Sequence, residues 1–184
     1  ITNRLVGSEM CIRDREGLIK AIENASKDSE IKGLVLACRG RTFMAGADIT
    51  EFASGVKQPW LGEVIDTMSE SSKVIVAAIF GTTFGGGLEV ALGCNYRIAD
   101  SNTKIGLPEV KLGIIPGAQG TQRLSRVSSV EFALKLATLG NPVGAQEALE
   151  AGAIDKISNG ELIDDAVSYA VSYTHLRAHE TVGN

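Results

Sequence analysis

A run of branched and apolar residues that stops abruptly at glycines leaves a chain few ways to fold. Val74 to Phe80, VIVAAIF, is such a run, and Gly81-Thr-Thr-Phe-Gly-Gly-Gly87 follows it. The run predicts a buried strand, and the glycines end it because they favour turns and positive φ. Leu88-Glu-Val-Ala-Leu92 then predicts a helix entered straight from the glycines. Its first backbone N–H groups have no intrahelical acceptor and no side chain over them, which suits an anion. A turn closed by glycines for packing alone is the plain alternative. Glu89 changes the balance, because a carboxylate in the first turn of an otherwise apolar helix is costly to bury without a task.

The two ends read differently. Leu5 to Arg15, LVGSEMCIRDR, and Val171 to Thr181, VSYTHLRAHET, show no period that continues into their neighbours. One DNA segment can encode both, read on opposite strands, and it resembles a transposase-type sequencing adapter read through in frame. Residues 1–15 and 171–184 are therefore expected to be adapter-derived scars, leaving 16–170 as the native domain. His175 and His179 fall in the second segment, and HLRAH lacks the glutamate of a zinc-protease motif, so no metal site is read there. Residues 16–170 then hold no histidine, and acid–base chemistry must fall to carboxylates, lysine, tyrosine or cysteine. A Ser-His or Cys-His hydrolase is excluded.

Charge and composition narrow the class further. A net charge of −4 without a basic block argues against nucleic acid or an anionic membrane as the main partner. At 44% hydrophobic the chain can build one domain core, and no apolar run is long enough to span a bilayer. Outside the first scar, Cys38 and Cys94 suggest no disulfide framework, which points to a reducing compartment.

In chain order, helices alternate with buried strands. Glu16 to Ser26 has apolar residues at 18, 19, 22 and 25, a helical spacing, and Ile31 to Cys38 predicts a buried strand. Arg39 to Glu51 predicts a loop with a small-residue centre. Pro59 opens a helix with Leu61, Val64, Ile65 and Met68 on one stripe. Asn95 to Ala99 and Thr103 to Gly106 are short extended pieces, and Leu107 to Gly120 is loop-like. Ser128 or Ser129 can cap a helix through Leu139, and Gly144 to Ala151 and Leu162 to Ala170 are helical around a short strand, Asp155 to Ile157. The pattern is α/β, in one domain.

Three stretches, Phe43-Met-Ala-Gly-Ala-Asp-Ile49, Phe84-Gly-Gly-Gly-Leu-Glu89 and Leu107-Pro-Glu-Val-Lys-Leu-Gly-Ile-Ile-Pro-Gly-Ala-Gln-Gly-Thr-Gln-Arg123, together resemble the enoyl-CoA hydratase/isomerase, or crotonase, superfamily. The resemblance covers nearly all of residues 16–170, with the family's spacing of 20 between Glu89 and Glu109. Gly87-Leu-Glu-Val-Ala-Leu-Gly-Cys-Asn-Tyr-Arg-Ile-Ala99 and Leu107-Pro-Glu109 look closest to the hydratase half of multifunctional β-oxidation enzymes. The resemblance implies the crotonase-like ββα spiral fold, truncated at both ends. It also implies a coenzyme A thioester as substrate, no permanently bound cofactor, and hydration of 2-enoyl-CoA to 3-hydroxyacyl-CoA with Δ3 to Δ2 isomerisation by the same proton transfer. The assembly implied is a homotrimer for a single-function enzyme or a monomer for a multifunctional one. The implied compartment is the cytoplasm of a bacterium, or the peroxisome or mitochondrion of a eukaryote. Another acyl-CoA enzyme of the superfamily, or an inactive CoA-binding or assembly protein, stays open.

By the same resemblance, the N–H groups of Ala47 and Gly86 form an oxyanion hole for the thioester oxygen. Such donors can each be worth about 3 to 4 kcal/mol to a developing enolate, and small residues let the backbone approach it. Glu89 and Glu109 then hold one water; Glu109 supplies the proton to the α-carbon, and Glu89 positions or deprotonates the water. Gly117 adds a backbone donor to the water or the site. Ala45, Gly46, Ala47, Asp48 and Ile49 line the CoA adenine pocket. Thr50 departs from the lysine often found in simple hydratases, which puts a phosphate contact there in doubt. Two carboxylates around one water cannot easily ionise together, so one is expected to hold a proton. Phe43, Met44 and Phe84 are expected in the core or acyl-pocket wall, Arg39 and Arg41 on the surface, and Arg123 in a structural role.

Overall fold

The computed structural model describes residues 2–3, 9–47 and 58–180. Its elements are Thr2–Asn3 (β1), Glu9–Met10 (β2), Ile12–Lys27 (α1), Gly33–Cys38 (β3), Gly46–Ala47 (β4) and Leu61–Glu70 (α2). Val74–Ile79 (β5), Thr82–Phe84 (β6), Gly86–Gly93 (α3), Tyr96–Ala99 (β7) and Lys104–Gly106 (β8) follow. After a 3-10 helix at Pro108–Leu112 come Gly120–Val127 (α4), Val130–Leu139 (α5), Val143–Gly144 (β9), Ala145–Glu150 (α6), Lys156–Ile157 (β10) and Leu162–Glu180 (α7).

The main sheet is parallel throughout, in the order β1-β3-β5-β7-β10. Every residue of β5 is buried. Ile75, Ala77 and Ile79 join the larger apolar cluster with α1, α2 and α3, while Val74, Val76 and Ala78 join a second one with Ala166 and Ala170 of α7. That alternation is a pleated strand covered on both faces, and it explains why VIVAAIF carries no polar position. The stripe on α2 is buried as its spacing predicts, with Leu61, Val64, Ile65 and Met68 facing inward. Ser129 caps α5, its hydroxyl accepting from Phe132 N–H at 3.1 Å. Among the described residues no helix is long and apolar enough to cross a membrane.

A second sheet positions the site. At Gly81, with φ +59, the chain leaves β5, and an added Cβ there would stand 2.6 Å from the Arg41 carbonyl. β6 then pairs with β8 in parallel, and β9 runs antiparallel to β8. The preceding loop lies along this turn, with Phe43 N–H donating to Phe80 O at 2.9 Å and Phe84 N–H to Met44 O at 3.1 Å. So the glycine stretch holds a strand where sequence reasoning sees only a turn, because Thr82 to Phe84 is paired from both sides rather than by local propensity.

The structure departs from expectation at other points too. The loop at 39–51 contains β4, paired with β2, and the stretch from Leu107 begins as a 3-10 helix. Helical structure also crosses both proposed scar boundaries, contrary to the absence of a continuing period. α1 starts at Ile12 and α7 runs through Ala170 and Val171. In α1, Asp14 bonds back to Cys11 N–H at 3.0 Å, while Arg15 is buried and donates to Pro59 O at 2.6 Å and Met10 O at 3.2 Å. These caps and long-range bonds leave no trace in an apolar period.

Candidate active site

α3 is the floor of the site. All eight of its residues are buried, so it lacks the polar face of a surface helix, and Glu89 is its one ionisable side chain. It is entered through Gly85, whose φ of +51 and ψ of −127 suit glycine and whose N–H donates to Gly106 O at 2.9 Å. Two contacts show why bulk is excluded. An added Cβ at Gly87 would stand 2.1 Å from the Met44 carbonyl oxygen, and one at Gly85 would stand 2.9 Å from Glu109 Oε1.

The two glutamates come together over this helix start. Glu89, 3% exposed, receives two backbone hydrogen bonds on Oε1, from Ala118 N–H and Gly120 N–H, each 2.8 Å. Burial pushes its pKa above the ordinary value of 4.5, and the two N–H donors work in the opposite direction. Glu109, in the 3-10 helix behind Pro108, is 8% exposed, and its Oε2 is buried without a hydrogen-bonding partner. Burial first, and then the charge of Glu89, push its pKa up to about 7. One acid is thus held in place by the backbone, while its neighbour changes protonation near neutral pH. That division suits a water-positioning group and a proton carrier.

The other expected site residues fall around this pair. Gly86 is the first residue of α3, and Ala47 ends β4, which packs against α3. Ala45 and Gly46 are half-buried on the approach to it, and Gly117 is exposed in the loop before Ala118. Asp48, Ile49 and Thr50 lie outside the described residues, as do the side chains of His175 and His179. Phe43 and Met44 sit in the core and Phe84 is half-buried; Arg39 and Arg41 are exposed. Arg123 bonds Gln119 and Ser69. Among the described residues no group of acids, cysteines and histidines is arranged to hold a metal. A groove of about 670 Å³ is lined by Val110, Ile114, Ile115, Gly117, Gln119 and Leu134 among others.

Sequence reasoning missed the donors Ala118 and Gly120. The signal was present, since Pro116-Gly-Ala-Gln-Gly120 is a second glycine-rich approach to a helix, α4. An added Cβ at Gly120 would stand 2.8 Å from Glu89 Oε1, so this glycine is needed for the same close approach as those before α3.

A family model described as enoyl-CoA hydratase/isomerase matches residues 9–178. The chain belongs to that family. Its relatives in the enoyl-CoA hydratase/isomerase family include the human protein named peroxisomal bifunctional enzyme, 45% identical over 168 residues, covering 89% of this chain and 22% of the human one. A Bacillus subtilis protein named probable enoyl-CoA hydratase is 38% identical over 167 residues, covering 86% of this chain and 65% of that one. Among solved structures, an enoyl-CoA hydratase of Geobacillus kaustophilus superposes with a TM-score of 0.86 at 31% identity, covering 94% of this chain and 69% of that one. The fold is the crotonase fold. The chain spans about a fifth of the length of the bifunctional relatives it matches.

Proposed function

We propose that this chain carries an enoyl-CoA hydratase site that adds water across the double bond of a 2-enoyl-CoA thioester to give a 3-hydroxyacyl-CoA. The observation that carries the reading is the buried pair itself: Glu89 clamped through Oε1 by two backbone N–H groups, and Glu109 titrating near 7 with an unpartnered oxygen. In the proposed reaction the thioester oxygen lies between the N–H groups of Ala47 and Gly86. Water, held between the carboxyls with Gly117 as a further backbone donor, attacks Cβ and loses a proton to Glu89. The π electrons move through the enolate, and Cα takes its proton from Glu109 on the same face, a syn addition. The same carrier moves a proton between α and γ positions in Δ3 to Δ2 isomerisation. The backbone of 45–49 holds the adenine of coenzyme A, and the groove beside Val110 and Ile115 gives the acyl chain an apolar wall.

The role is in fatty-acid β-oxidation, as part of a longer multifunctional enzyme in a reducing compartment, the peroxisome for a eukaryotic source. The human relative's name, peroxisomal bifunctional enzyme, supports the peroxisome and the multifunctional chain. Glu89→Gln tests the chemistry, since it should damage hydration more than isomerisation; equal loss of both contradicts the division of roles. Residues 1–15 and 171–184 remain, on our reading, adapter-derived. Genomic sequence across Arg15/Glu16 and Ala170/Val171 that lacks 5–15 and 171–181 supports that origin, and their persistence overturns it.

A further inference from the structure

Gln119 stands between the two donors to Glu89, and it is the one non-glycine among the described residues with positive φ, at +73 with ψ +9. A left-handed residue turns the chain sharply, and here it brings the N–H groups on either side, of Ala118 and Gly120, onto one oxygen. Glutamine has no intrinsic preference for that conformation. Its side chain, however, is tied at both ends. The amide Nε2 donates to Asp66 Oδ1 of α2 at 2.7 Å, and Oε1 accepts from Arg123 Nε of α4 at 2.9 Å. Arg123 in turn donates through Nη2 to Ser69 Oγ of α2 at 2.6 Å. The loop that orients Glu89 is therefore anchored to two helices through one side chain.

We propose that Gln119 is a positioning residue for the hydration step, its tether to Asp66 and Arg123 holding the left-handed backbone that aims two N–H groups at Glu89. This rests on the reading of Glu89 as the water-positioning carboxylate. Loss of the tether lets residue 119 relax to the ordinary right-handed or extended backbone, and one or both N–H groups swing off Oε1. Glu89 then loses the donors that oppose the effect of its burial, and its carboxyl moves within the site. Glu109 is a titratable group facing it; Asp66 and Arg123 belong to the tether. A methyl side chain at 119 keeps the backbone penalty and removes the tie. Glycine removes both the penalty and the tie.

The test compares Gln119→Ala, Gln119→Gly and Asp66→Ala on the full chain, with turnover of a 2-enoyl-CoA thioester and the Glu89 carboxyl titration followed by 13C NMR. Gln119→Ala should lower kcat by about tenfold to a hundredfold, the scale of a small misplacement, leave KM nearly unchanged, and raise the pKa of Glu89. Gln119→Gly should restore most of the lost rate and return the pKa. Asp66→Ala, an exposed change, should move both readouts the same way by less, and it serves if Gln119→Ala does not fold. A Gln119→Ala protein, or failing that Asp66→Ala, with native kcat and an unmoved Glu89 titration overturns the inference. So does Gln119→Gly being as impaired as Gln119→Ala. Because the titration needs no turnover, a shifted pKa in a protein without hydratase activity would sink the functional reading and leave the tether standing.

Discussion

Replacing Glu109 by glutamine separates the cost of the site from its use. Glu109 is 8% exposed, and its pKa rises from 4.5 to about 7 through burial and the neighbouring charge of Glu89. Between those values the folded protein keeps a proton that the unfolded chain has released. Stability is therefore fully present below about pH 4.5, falls as pH rises through the window, and stays low above about 7. At about 1.4 kcal/mol for each tenfold change in proton affinity, the window amounts to about 3 kcal/mol. Solvent at the open side of the site reduces that to about 1 to 3 kcal/mol. Glutamine fills nearly the same volume and never ionises. Urea unfolding should then show Glu109→Gln to be more stable than the unsubstituted chain by about 1 to 3 kcal/mol at pH 8, and equal within about 0.5 kcal/mol at pH 4.5. Turnover should fall by about a hundredfold to ten-thousandfold, the scale of one positioned proton carrier. Stability profiles that stay parallel from pH 4.5 to 8 would refute the buried, proton-holding Glu109.

The glycines and the buried Arg97 make separate predictions. Gly87→Ala pushes a methyl toward a backbone carbonyl 2.1 Å away and should cost about 1 to 3 kcal/mol in urea unfolding. Gly120→Ala meets the flexible Glu89 side chain first, at 2.8 Å, so it should cost less stability while lowering kcat by about a hundredfold; the reverse order would contradict their assigned places. Arg97, 2% exposed, pairs with Asp155 at 2.8 Å and donates to the carbonyls of Cys94 at 3.1 Å and Ala153 at 3.0 Å. Removing it in Arg97→Ala strands the two carbonyls and leaves Asp155 Oδ2 only the backbone N–H of residue 97, at 2.7 Å, and should cost about 3 to 5 kcal/mol by chemical unfolding; a loss under about 1 kcal/mol would show that the clamp carries little.

Most of the main sheet was legible because its signals are local. VIVAAIF has the continuous apolar composition of a strand covered on both faces, and the stripe of α2 has the period of a helix covered on one. The second sheet was not, because Thr82 to Phe84 gains strand geometry only from β8 and from the Phe43 and Met44 backbone beside it. The same difference divides the site. Glu89 stood out as an acid in an apolar helix, whereas Glu109 alone reads as a solvated loop acid and was marked by the family resemblance; the structure couples the two carboxyls. Ala118 and Gly120 act through the backbone, and Gln119 through its φ and two distant partners. For the two donors the sequence marks only the place, a glycine-rich run before α4, and the tether of Gln119 has no signature in one dimension. The segments before Glu16 and after Ala170 illustrate a further limit, since helix can run through residues whose own period does not announce it.

The central claim is that Glu109 delivers the proton that completes hydration beside a water held by Glu89. The most direct measurement incubates the chain with a short 2-enoyl-CoA thioester in D2O and follows deuterium at Cα of the product by NMR. The account predicts loss of the enoyl absorbance with one solvent deuteron placed stereospecifically at Cα, and near-complete loss of both signals in Glu109→Gln while the thioester still binds. Deuterium incorporation undiminished in Glu109→Gln, or no consumption of the thioester by the unsubstituted chain, would contradict it.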